Sequence, residues 1–311
     1  MSILLTGASG FVGGALATRL LESGREVRAL GRTRPKIAVE FFEGSIDDQQ
    51  LSAKALEGVD CVVHLAGRAH QLRDSSPDPL ETFRTANCKL SEELAVQAIK
   101  AGVRRFVFIS SIGVNGAATL PGCPFTEDSP PAPHSAYARS KHEAEVALQA
   151  LIGASAMELV IIRPPLIYGP GAPGNFASLM DWVSKGIPLP LGAIDNRRSL
   201  VGIDNLTDLI IRCIDHPNAS NQLFLASDSE DLSTTQLLRG VAEAMGRPGF
   251  MLPVPASLLR LIANALGKKA MGQSLLDSLQ VDISKARELL GWEPPVSVKE
   301  GLRRCVRDSS V

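Results

Sequence analysis

Three glycines closely follow the first apolar segment of the chain. Residues 3–5 read Ile-Leu-Leu, and residues 6–13 read Thr-Gly-Ala-Ser-Gly-Phe-Val-Gly. A Cβ at Gly7 or Gly10 would obstruct a tight strand-to-helix turn, while Gly13 lets the new helix pack against the strand. Free backbone amides at the start of such a helix bind phosphate groups. The run therefore predicts a Rossmann-type turn that holds a diphosphate.

The overall charge is balanced, which bears on the partners of the chain. Thirty-two lysines and arginines stand against thirty-three aspartates and glutamates, for a net charge of −1. No global field therefore attracts the chain to nucleic acid or anionic lipid, so a polyanionic ligand must be bound locally. We predict no nucleic-acid partner.

The N-terminal segment and the cysteines indicate the cellular compartment. The apolar start lacks a cationic region, and no uninterrupted apolar run reaches membrane-spanning length, so we expect a first strand rather than a signal peptide and no membrane insertion. The cysteines lack C-x-x-C spacing, which favours reduced, buried thiols in a cytoplasmic protein over disulfides or a metal site. They are Cys61, Cys88, Cys123, Cys213 and Cys305.

Apolar strand-like segments alternate with helix-like segments through the first half of the chain. Such continuous apolar strands predict an α/β fold with a parallel, doubly wound sheet covered on both faces. We predict a Rossmann domain at 1–165, to which 198–228 returns, and a smaller α/β substrate lobe at 166–197 and 229–311. The predicted strands are 3–5, 26–30, 61–65, 105–109 and 159–162, and the predicted helices are 11–23, 79–101 and 136–152, the last capped by Ser135.

A tyrosine and a lysine are spaced one helical turn apart. Tyr137 and Lys141 share one face of the predicted helix 136–152. We expect the ammonium to lower the tyrosine pKa from about 10, making Tyr137 a general acid or base. An amphipathic helix whose lysine stem lies along apolar surface shows the same spacing. The glycine run, and Ser111 at the end of the strand 105–109, favour the catalytic interpretation.

These motifs together are similar to those of one enzyme family. The chain resembles the extended short-chain dehydrogenases/reductases of the nucleotide-sugar epimerase and dehydratase family. Gly7, Gly10 and Gly13 match its G-x-x-G-x-x-G, and residues 63–67 match its strand beside the cofactor. Ser111, Tyr137 and Lys141 take its catalytic positions.

The resemblance also implies binding residues. Asn87 corresponds to the helix asparagine that braces the catalytic centre, and Lys141 would also bind the nicotinamide ribose. Ser111, Asn175 and Arg198 would bind the substrate, with Arg198 on its diphosphate; the neighbouring Arg197 is expected to be a solvated loop cation. The cofactor residues are predicted to be Gly7, Ser9, Gly10, Phe11, Val12, Gly13, Arg32, Arg34, Ser45, Ile46, Leu65, Ala66, Gly67, Asn87, Tyr137, Lys141 and Pro164.

The end of the second strand bears on the choice of cofactor. NAD-selective Rossmann sites place an acidic residue there, on the ribose 2′-hydroxyl. Residues 27–34 contain no carboxylate, whereas Arg32 and Arg34 can meet a 2′-phosphate and Gly31 leaves room for it. We therefore favour NADP(H), with NAD(H) left open; the alternative is that both arginines are plain surface cations.

Three positions depart from the pattern of the family. Ser45 stands where many relatives carry an aspartate that binds the adenine amine. Gly113 replaces a threonine of many 4-epimerases, and Leu166 replaces a polar residue that touches the sugar or its diphosphate. The last two departures count against a standard UDP-galactose 4-epimerase.

Segments 124–128, 196–200 and 289–295 refine the functional expectation. They resemble bacterial enzymes that reduce UDP-4-keto-6-deoxy-N-acetylhexosamines for surface polysaccharides such as O-antigen. This resemblance implies NADPH-dependent reduction of the C4 keto group of a UDP-2-acetamido-2,6-dideoxy-hexulose. An NAD-dependent UDP-hexose or UDP-N-acetylhexosamine 4-epimerase stays the alternative, and a cofactor sensor without turnover is a remote one. The family also implies a homodimer.

Two histidines and one apolar segment receive structural interpretations. His64 belongs to a buried strand and His134 to a proline-rich loop, so neither is expected to act as an acid or base. Residues 257–266 predict an amphipathic helix that packs on the core rather than on a membrane.

Overall fold

A seven-stranded parallel sheet organises the chain. The computed structural model describes residues 1–68, 78–120 and 122–307. The strand order is β3-β2-β1-β4-β5-β6-β9, which has the crossovers of a doubly wound sheet and confirms the predicted fold class. Its strands are β1 (Ser2–Thr6), β2 (Glu26–Gly31), β3 (Glu40–Glu43), β4 (Cys61–His64), β5 (Arg105–Ile109), β6 (Glu158–Arg163) and β9 (Gln222–Leu225). A two-stranded parallel sheet pairs β7 (Leu166–Tyr168) with β8 (Leu200–Gly202).

Helices cover both faces of the large sheet and build the lobe beside it. The α-helices are α1 (Phe11–Glu22), α2 (Gln49–Leu56), α3 (Pro79–Arg84), α4 (Leu90–Lys100), α5 (Ala136–Gly153), α6 (Asn175–Ser184), α7 (Ile203–Asp215), α8 (Thr234–Ala244), α9 (Ala256–Ala265), α10 (Lys269–Leu276), α11 (Ser284–Leu290) and α12 (Val298–Arg307). A π-helical turn over Thr85–Lys89 joins α3 to α4. The predicted Ser135 cap is present, because its hydroxyl accepts a hydrogen bond from Ala138 N.

Alternate residues of the central strands pack into two separate hydrophobic cores, one on each face of the sheet. Ile3 and Leu5 of β1 pack with α1, α7 and α11 on one face of the sheet. Leu4, between them, packs with α2, α4 and α5 on the other face. Every residue of β1 is buried, which explains the continuous apolar pattern of the strand. A third core, which includes Phe176, Leu200 and Leu238, fills the lobe.

The predicted strands and helices of the first half are all present, but α2 and the edge strand β3 were not predicted. The four residues of β3, Glu-Phe-Phe-Glu, carry charges at both ends and half-buried aromatics between them. Such a short edge strand has no continuous apolar run to reveal it.

One structural prediction for side chains holds only in part, and another is wrong for one residue. The inner side of α9, including Leu259, packs against the lobe core as predicted, but no residue of the helix is fully buried, and Leu258, Leu261 and Leu266 are exposed. Cys123 is exposed rather than buried, since it lies in a surface loop, and Cys88 is half-buried. Within the described ranges, no helix is long and apolar enough to cross a bilayer.

Candidate active site

The glycine run forms the tight turn between β1 and α1. Gly7 has φ +76°, and a Cβ built on it would lie 2.8 Å from Ala66 N. A Cβ on Gly13 would collide with the Gly7 carbonyl, which fixes the close contact of helix and strand. Gly10 N donates to the Gly7 carbonyl at 2.9 Å. Gly7 and Gly13 are therefore required by a close approach of backbone to backbone, whereas a Cβ on Gly10 would make a tight contact, 3.2 Å from the Gly7 carbonyl oxygen.

The start of α1 is suited to an anionic ligand. Gly10 occupies the N-cap position, and no side chain caps the helix. Ser9 and Gly10 are exposed, and Phe11 and Val12 follow in the first turn. Backbone amides that lack an internal partner, together with the helix dipole, favour a diphosphate at this position. The residues present thus fit the diphosphate of a dinucleotide cofactor.

The segment after β4 lines the same strand-end edge. Leu65 and Ala66 are half-buried and Gly67 is exposed. A Cβ on Gly67 would lie 2.8 Å from Asn87 Oδ1 and 3.5 Å from Lys141 Nζ. The structure therefore brings together three residues from separate parts of the chain that were predicted to meet the cofactor.

Asn87 sits in the π-helical turn and connects this segment to α5. Its Oδ1 accepts from Arg68 N at 2.7 Å, and its Nδ2 donates to Ser140 Oγ at 3.0 Å. Ser140 Oγ in turn donates to the Tyr137 carbonyl at 2.8 Å. Asn87 thus braces the helix that carries the catalytic pair, and π-helical turns often occur at functional sites.

A buried polar chain behind Asn87 was not predicted from the sequence. Thr6 Oγ1 and His64 Nδ1 lie 2.6 Å apart, and His64 Nε2 and Ser91 Oγ lie 2.8 Å apart. Ser91 Oγ then donates to the Asn87 carbonyl at 2.6 Å. Burial lowers the pKa of His64 to about 3, so the ring is neutral. His64 therefore has the structural role predicted for it. In the sequence, the only indication of this hydrogen-bonded chain is that Thr6 and Ser91 carry hydroxyl groups that can pair with a histidine in a buried strand.

The far end of the proposed cofactor site is open and cationic. Arg32 and Arg34 are exposed, and a Cβ on Gly31 would meet no atom within 4 Å. The Arg34 guanidinium lies 5.0 Å from the centroid of the Phe41 ring. Ser45 is half-buried at this end.

Two predicted cofactor residues are more enclosed than the others. Ile46 packs in the core that α2 and α4 share, so a cofactor contact there would use its backbone. Pro164 is buried after β6, and its carbonyl accepts from Ile112 N at 3.0 Å. That bond ties the end of β6 to the turn after Ser111.

The catalytic candidates converge at the carboxyl end of β5. The Ser111 hydroxyl lies close enough to the Tyr137 phenol to lower its pKa. Ser111 Oγ also accepts from Gly113 N at 3.2 Å, which starts a short 3₁₀ turn over Ile112–Val114. Lys141 Nζ donates to the Ile109 carbonyl at 2.8 Å and lies 4.5 Å from the centroid of the Phe108 ring.

The expected effect of Lys141 on the tyrosine pKa is wrong for the protein alone. Burial raises the pKa of Tyr137 to about 12, and the nearby Ser111 hydroxyl only partly opposes this shift. Burial also lowers the pKa of Lys141 to about 8, although Glu145 partly counteracts it. The ammonium is held at the Ile109 carbonyl, so desolvation of the phenol dominates. Tyr137 is therefore protonated at neutral pH.

A buried ion pair supports the catalytic helix from behind. Arg163 Nε donates to Glu145 Oε1 at 2.9 Å, and Arg163 Nη1 donates to Asn115 Oδ1 at 2.9 Å. The Glu145 and Arg163 side chains are 2% and 5% exposed. The pair joins α5, β6 and the segment after Ser111, so it fixes their relative positions.

Gly113 and His134 lie beside the catalytic hydroxyl. A Cβ on Gly113 would lie 3.4 Å from Ser111 Oγ and 3.8 Å from His134 Cε1. The same Cβ would lie 3.3 Å from Ala138 Cβ, so a side chain at position 113 would crowd Ser111 and the start of α5. A structural role was predicted for His134, and its proximity to Ser111 emerges only in three dimensions.

The predicted substrate residues belong to the lobe. Arg198 Nη1 donates to the Asp277 carbonyl at 2.9 Å, and burial lowers the pKa of this arginine. Asn175 is exposed at the first position of α6, after Gly174 with φ +70°. Arg197 is exposed, as expected of a solvated cation. Among the described residues, no hydrogen bond joins Asn175 or Arg198 to the catalytic group, and no cluster of three or more metal-ligating side chains occurs.

The family of the chain follows from its similarity to known proteins. A profile of the NAD dependent epimerase/dehydratase family matches residues 3–225. The chain belongs to this family. This match confirms the family predicted from the sequence. The protein is an NAD(P)-dependent short-chain oxidoreductase.

Three relatives illustrate the range of this epimerase/dehydratase family. A UDP-glucose 4-epimerase of Vibrio cholerae is 48% identical over 307 residues, covering 97% of this chain and 94% of the relative. The structure of UDP-glucose 4-epimerase from Thermotoga maritima with UDP-glucose has a TM-score of 0.81 at 24% identity, covering 99% and 98% of the two chains. A short-chain dehydrogenase/reductase superfamily protein from Agrobacterium tumefaciens with bound NAD has a TM-score of 0.81 at 23% identity, covering 99% and 97%. The two structures establish the shared fold.

Proposed function

We propose that the enzyme reduces the C4 keto group of a UDP-2-acetamido-2,6-dideoxy-hexulose with NADPH. The observation that carries this proposal is the convergence of Ser111, Tyr137 and Lys141 at the carboxyl end of β5, where Tyr137 is protonated. A reductase must begin its cycle with a proton donor next to the carbonyl oxygen. A phenol whose pKa is raised to about 12 meets that requirement across the neutral range.

Each catalytic residue has one role in this proposal. NADPH, when bound, supplies the hydride. Ser111 holds the C4 oxygen through its hydroxyl, and Tyr137 donates a proton to the oxyanion that develops there. Lys141 is the cation of the site, and its charge offsets the negative charge that Tyr137 acquires after it gives up the proton. Asn87 positions α5 through Ser140.

The end of β2 supports NADPH over NADH. Arg32 and Arg34 are exposed at this end, and Gly31 leaves open space between backbone and ligand. Guanidinium groups bind a 2′-phosphate through charge-assisted hydrogen bonds. Strand pairing places the carboxylate of Glu43 opposite Gly31. Because Glu43 belongs to β3, β2 itself ends without the carboxylate that is typical of an NAD site. We therefore assign the 2′-phosphate to the two arginines.

The lobe supports a nucleoside diphosphate as the substrate handle. Arg198 is a largely buried cation whose described hydrogen bond is to a backbone carbonyl, so it retains donors for a phosphate. Asn175 begins α6, where backbone amides also favour an anion. In this account residues 166–197 and 229–311 bind the UDP-sugar, while 1–165 and 198–228 bind the cofactor. A cytoplasmic homodimer remains a prediction.

An NAD-dependent UDP-hexose 4-epimerase is the second candidate. The 48% identical relative is a UDP-glucose 4-epimerase, which favours this activity. Such an enzyme would first oxidise C4, so Tyr137 would have to act as a base before it acted as an acid. The glycine at position 113, where many 4-epimerases carry a threonine, favours the reductase.

Near-ultraviolet absorbance of the nicotinamide distinguishes the two candidates. Purified protein is mixed with NADPH and a UDP-4-keto-6-deoxy-N-acetylhexosamine. The reductase consumes one NADPH for each keto sugar. NAD retained on the purified protein, with interconversion of UDP-hexose isomers and no NADPH loss, would instead establish the epimerase.

A further inference from the structure

Helix α9 presents an apolar face to solvent. Leu258, Leu261, Ile262 and Leu266 are 47%, 68%, 45% and 65% exposed. Their spacing of three and four residues places them on one side of the helix and its C-terminal end. We call these four residues the α9 face. The opposite side, including Leu259, contacts the lobe core.

Further exposed apolar side chains surround the α9 face. Ile187, Phe250 and Leu252 are each more than half exposed, and the strand-like pairing of Leu189 with Phe250 and Leu252 holds their segments together. Met271, on the adjoining α10, is 45% exposed. Eight of the eleven large exposed apolar residues within the described ranges thus belong to this part of the lobe. A concentration of this kind marks an interaction surface.

The charged side chains in the segment between Glu243 and Asp277 are all basic. No aspartate or glutamate occurs between Glu243 and Asp277, although the whole chain is nearly neutral. Arg247, Lys268 and Lys269 are exposed, and none of them has an ion pair among the described residues. Two of these cations directly follow the α9 face, so an anionic surface in contact with the face would also meet positive charge.

The orientation of the α9 face is fixed by the lobe. Arg260 Nη2 forms an ion pair with Asp277 Oδ1 at 2.8 Å, while the inner side of the helix packs against the lobe core. The apolar face therefore cannot turn inward without breaking that ion pair. A second copy of the same surface would bring like charges together, which disfavours self-association through it.

We propose that the α9 face docks the enzyme on the surface of an anionic lipid bilayer. An amphipathic helix with exposed leucines and flanking lysines lies in the plane of the membrane interface, with its apolar face among the headgroups. Basic residues near the surface add attraction to anionic lipid. This contact is peripheral, and it is independent of the reaction that the active site catalyses.

Vesicle sedimentation of the full-length protein tests the proposal. Vesicles of phosphatidylcholine with phosphatidylglycerol are compared with vesicles of phosphatidylcholine alone. We expect the wild type to sediment with the anionic vesicles and to be released by salt. The Leu261→Ser/Leu266→Ser variant should lose at least tenfold in partitioning, and the Lys268→Gln/Lys269→Gln variant should lose its dependence on phosphatidylglycerol.

A matched control uses Leu120→Ser, because Leu120 is 73% exposed outside the lobe. That variant should partition like the wild type. Since all substituted residues are exposed, unchanged thermal unfolding midpoints verify folding. Equal sedimentation of wild type and Leu261→Ser/Leu266→Ser would overturn the proposal. A fall in oligomer mass by light scattering, with unchanged vesicle binding, would overturn it in favour of contact between copies.

Discussion

The Ser111 hydroxyl lies beside the Tyr137 phenol at the carboxyl end of β5 and lowers its pKa. This contact joins the first turn of α5 to the segment that follows the strand, and it places a proton donor beside a hydroxyl that can hold a substrate oxygen. The site depends on this geometry more than on any single residue, because the two side chains come from elements far apart in sequence.

Replacing the phenol tests the proposed proton donor. Tyr137→Phe should lower kcat on the order of 10²–10⁴-fold, because the developing oxyanion loses its general acid. NADPH binding, followed by fluorescence titration, should change little. Tyr168→Phe is the matched control, since Tyr168 is the other tyrosine and donates to Asp228 Oδ2 at 2.7 Å within the lobe. The control should unfold at lower temperature but retain turnover; unchanged turnover in Tyr137→Phe would disprove the assigned role.

The buried lysine makes stability depend on pH. Burial lowers the pKa of Lys141 to about 8, from 10.5 in the unfolded chain, so the unfolded state binds more protons between these values. Below pH 8 the folded protein bears the full cost of the buried ammonium. As pH rises from about 8 toward 10.5, that cost is relieved.

The Lys141→Met variant isolates this effect. Urea unfolding at several pH values should show the wild type gaining free energy of unfolding relative to Lys141→Met as pH rises through this window. A difference that stays constant with pH would show that the lysine titrates normally in the folded state.

Gly13 and Gly14 are neighbours in α1. Replacing each with alanine distinguishes the close packing that the phosphate-binding turn requires from the general preference of a helix for alanine over glycine. Gly13→Ala should weaken cofactor binding and destabilise the fold, because its Cβ would collide with the Gly7 carbonyl. Gly14→Ala should stabilise the protein by about 0.5–1 kcal/mol, since its Cβ would lie 3.6 Å from the Ala8 carbonyl oxygen in ordinary contact. Denaturant unfolding and cofactor titration measure both effects. Equal cofactor affinity in the two variants would contradict the turn geometry.

Removing the two arginines after β2 tests the cofactor choice. Arg32→Ala/Arg34→Ala should raise the KM for NADPH roughly 10–100-fold, because charge-assisted bonds to the 2′-phosphate are lost. Kinetics with NADH should change little. Arg25→Ala removes a half-buried arginine paired with Asp215 just before the start of the same strand, and serves as the control. A parallel loss with both cofactors would argue against a 2′-phosphate site.

The buried pair behind the catalytic helix should behave as a unit. Arg163→Leu should cost about 3–5 kcal/mol of unfolding free energy, because it leaves the Glu145 carboxylate buried without its partner. The double variant Glu145→Gln/Arg163→Leu should recover a large part of that loss. Chemical denaturation of the wild type, Arg163→Leu, Glu145→Gln and the double variant provides the comparison. Strictly additive losses would rule out coupling between the two side chains.

Local patterns in the sequence predicted much of the fold and of the candidate site. The glycine run, the apolar strands and the Tyr137–Lys141 spacing each reflect a short-range requirement of backbone or helix geometry, and they predicted the sheet and the main candidate residues. The Glu145–Arg163 pair and the Thr6–His64–Ser91 chain join distant segments, so no local pattern could reveal them. The pKa of Tyr137 also depends on burial in three dimensions. The exposure of α9 was missed because an apolar face looks the same in sequence whether it meets a core or solvent.

The direct test of net reduction follows the hydride itself. The enzyme is given NADPH carrying deuterium at C4 of the nicotinamide, with each face labelled in a separate experiment, and a UDP-4-keto-6-deoxy-N-acetylhexosamine. Mass spectrometry and NMR of the product locate the label. Our account predicts that one of the two labelled cofactors places a single deuterium at C4 of the sugar. Unlabelled sugar from both cofactors, with UDP-hexose C4 isomers interconverting on a retained NAD, would contradict it.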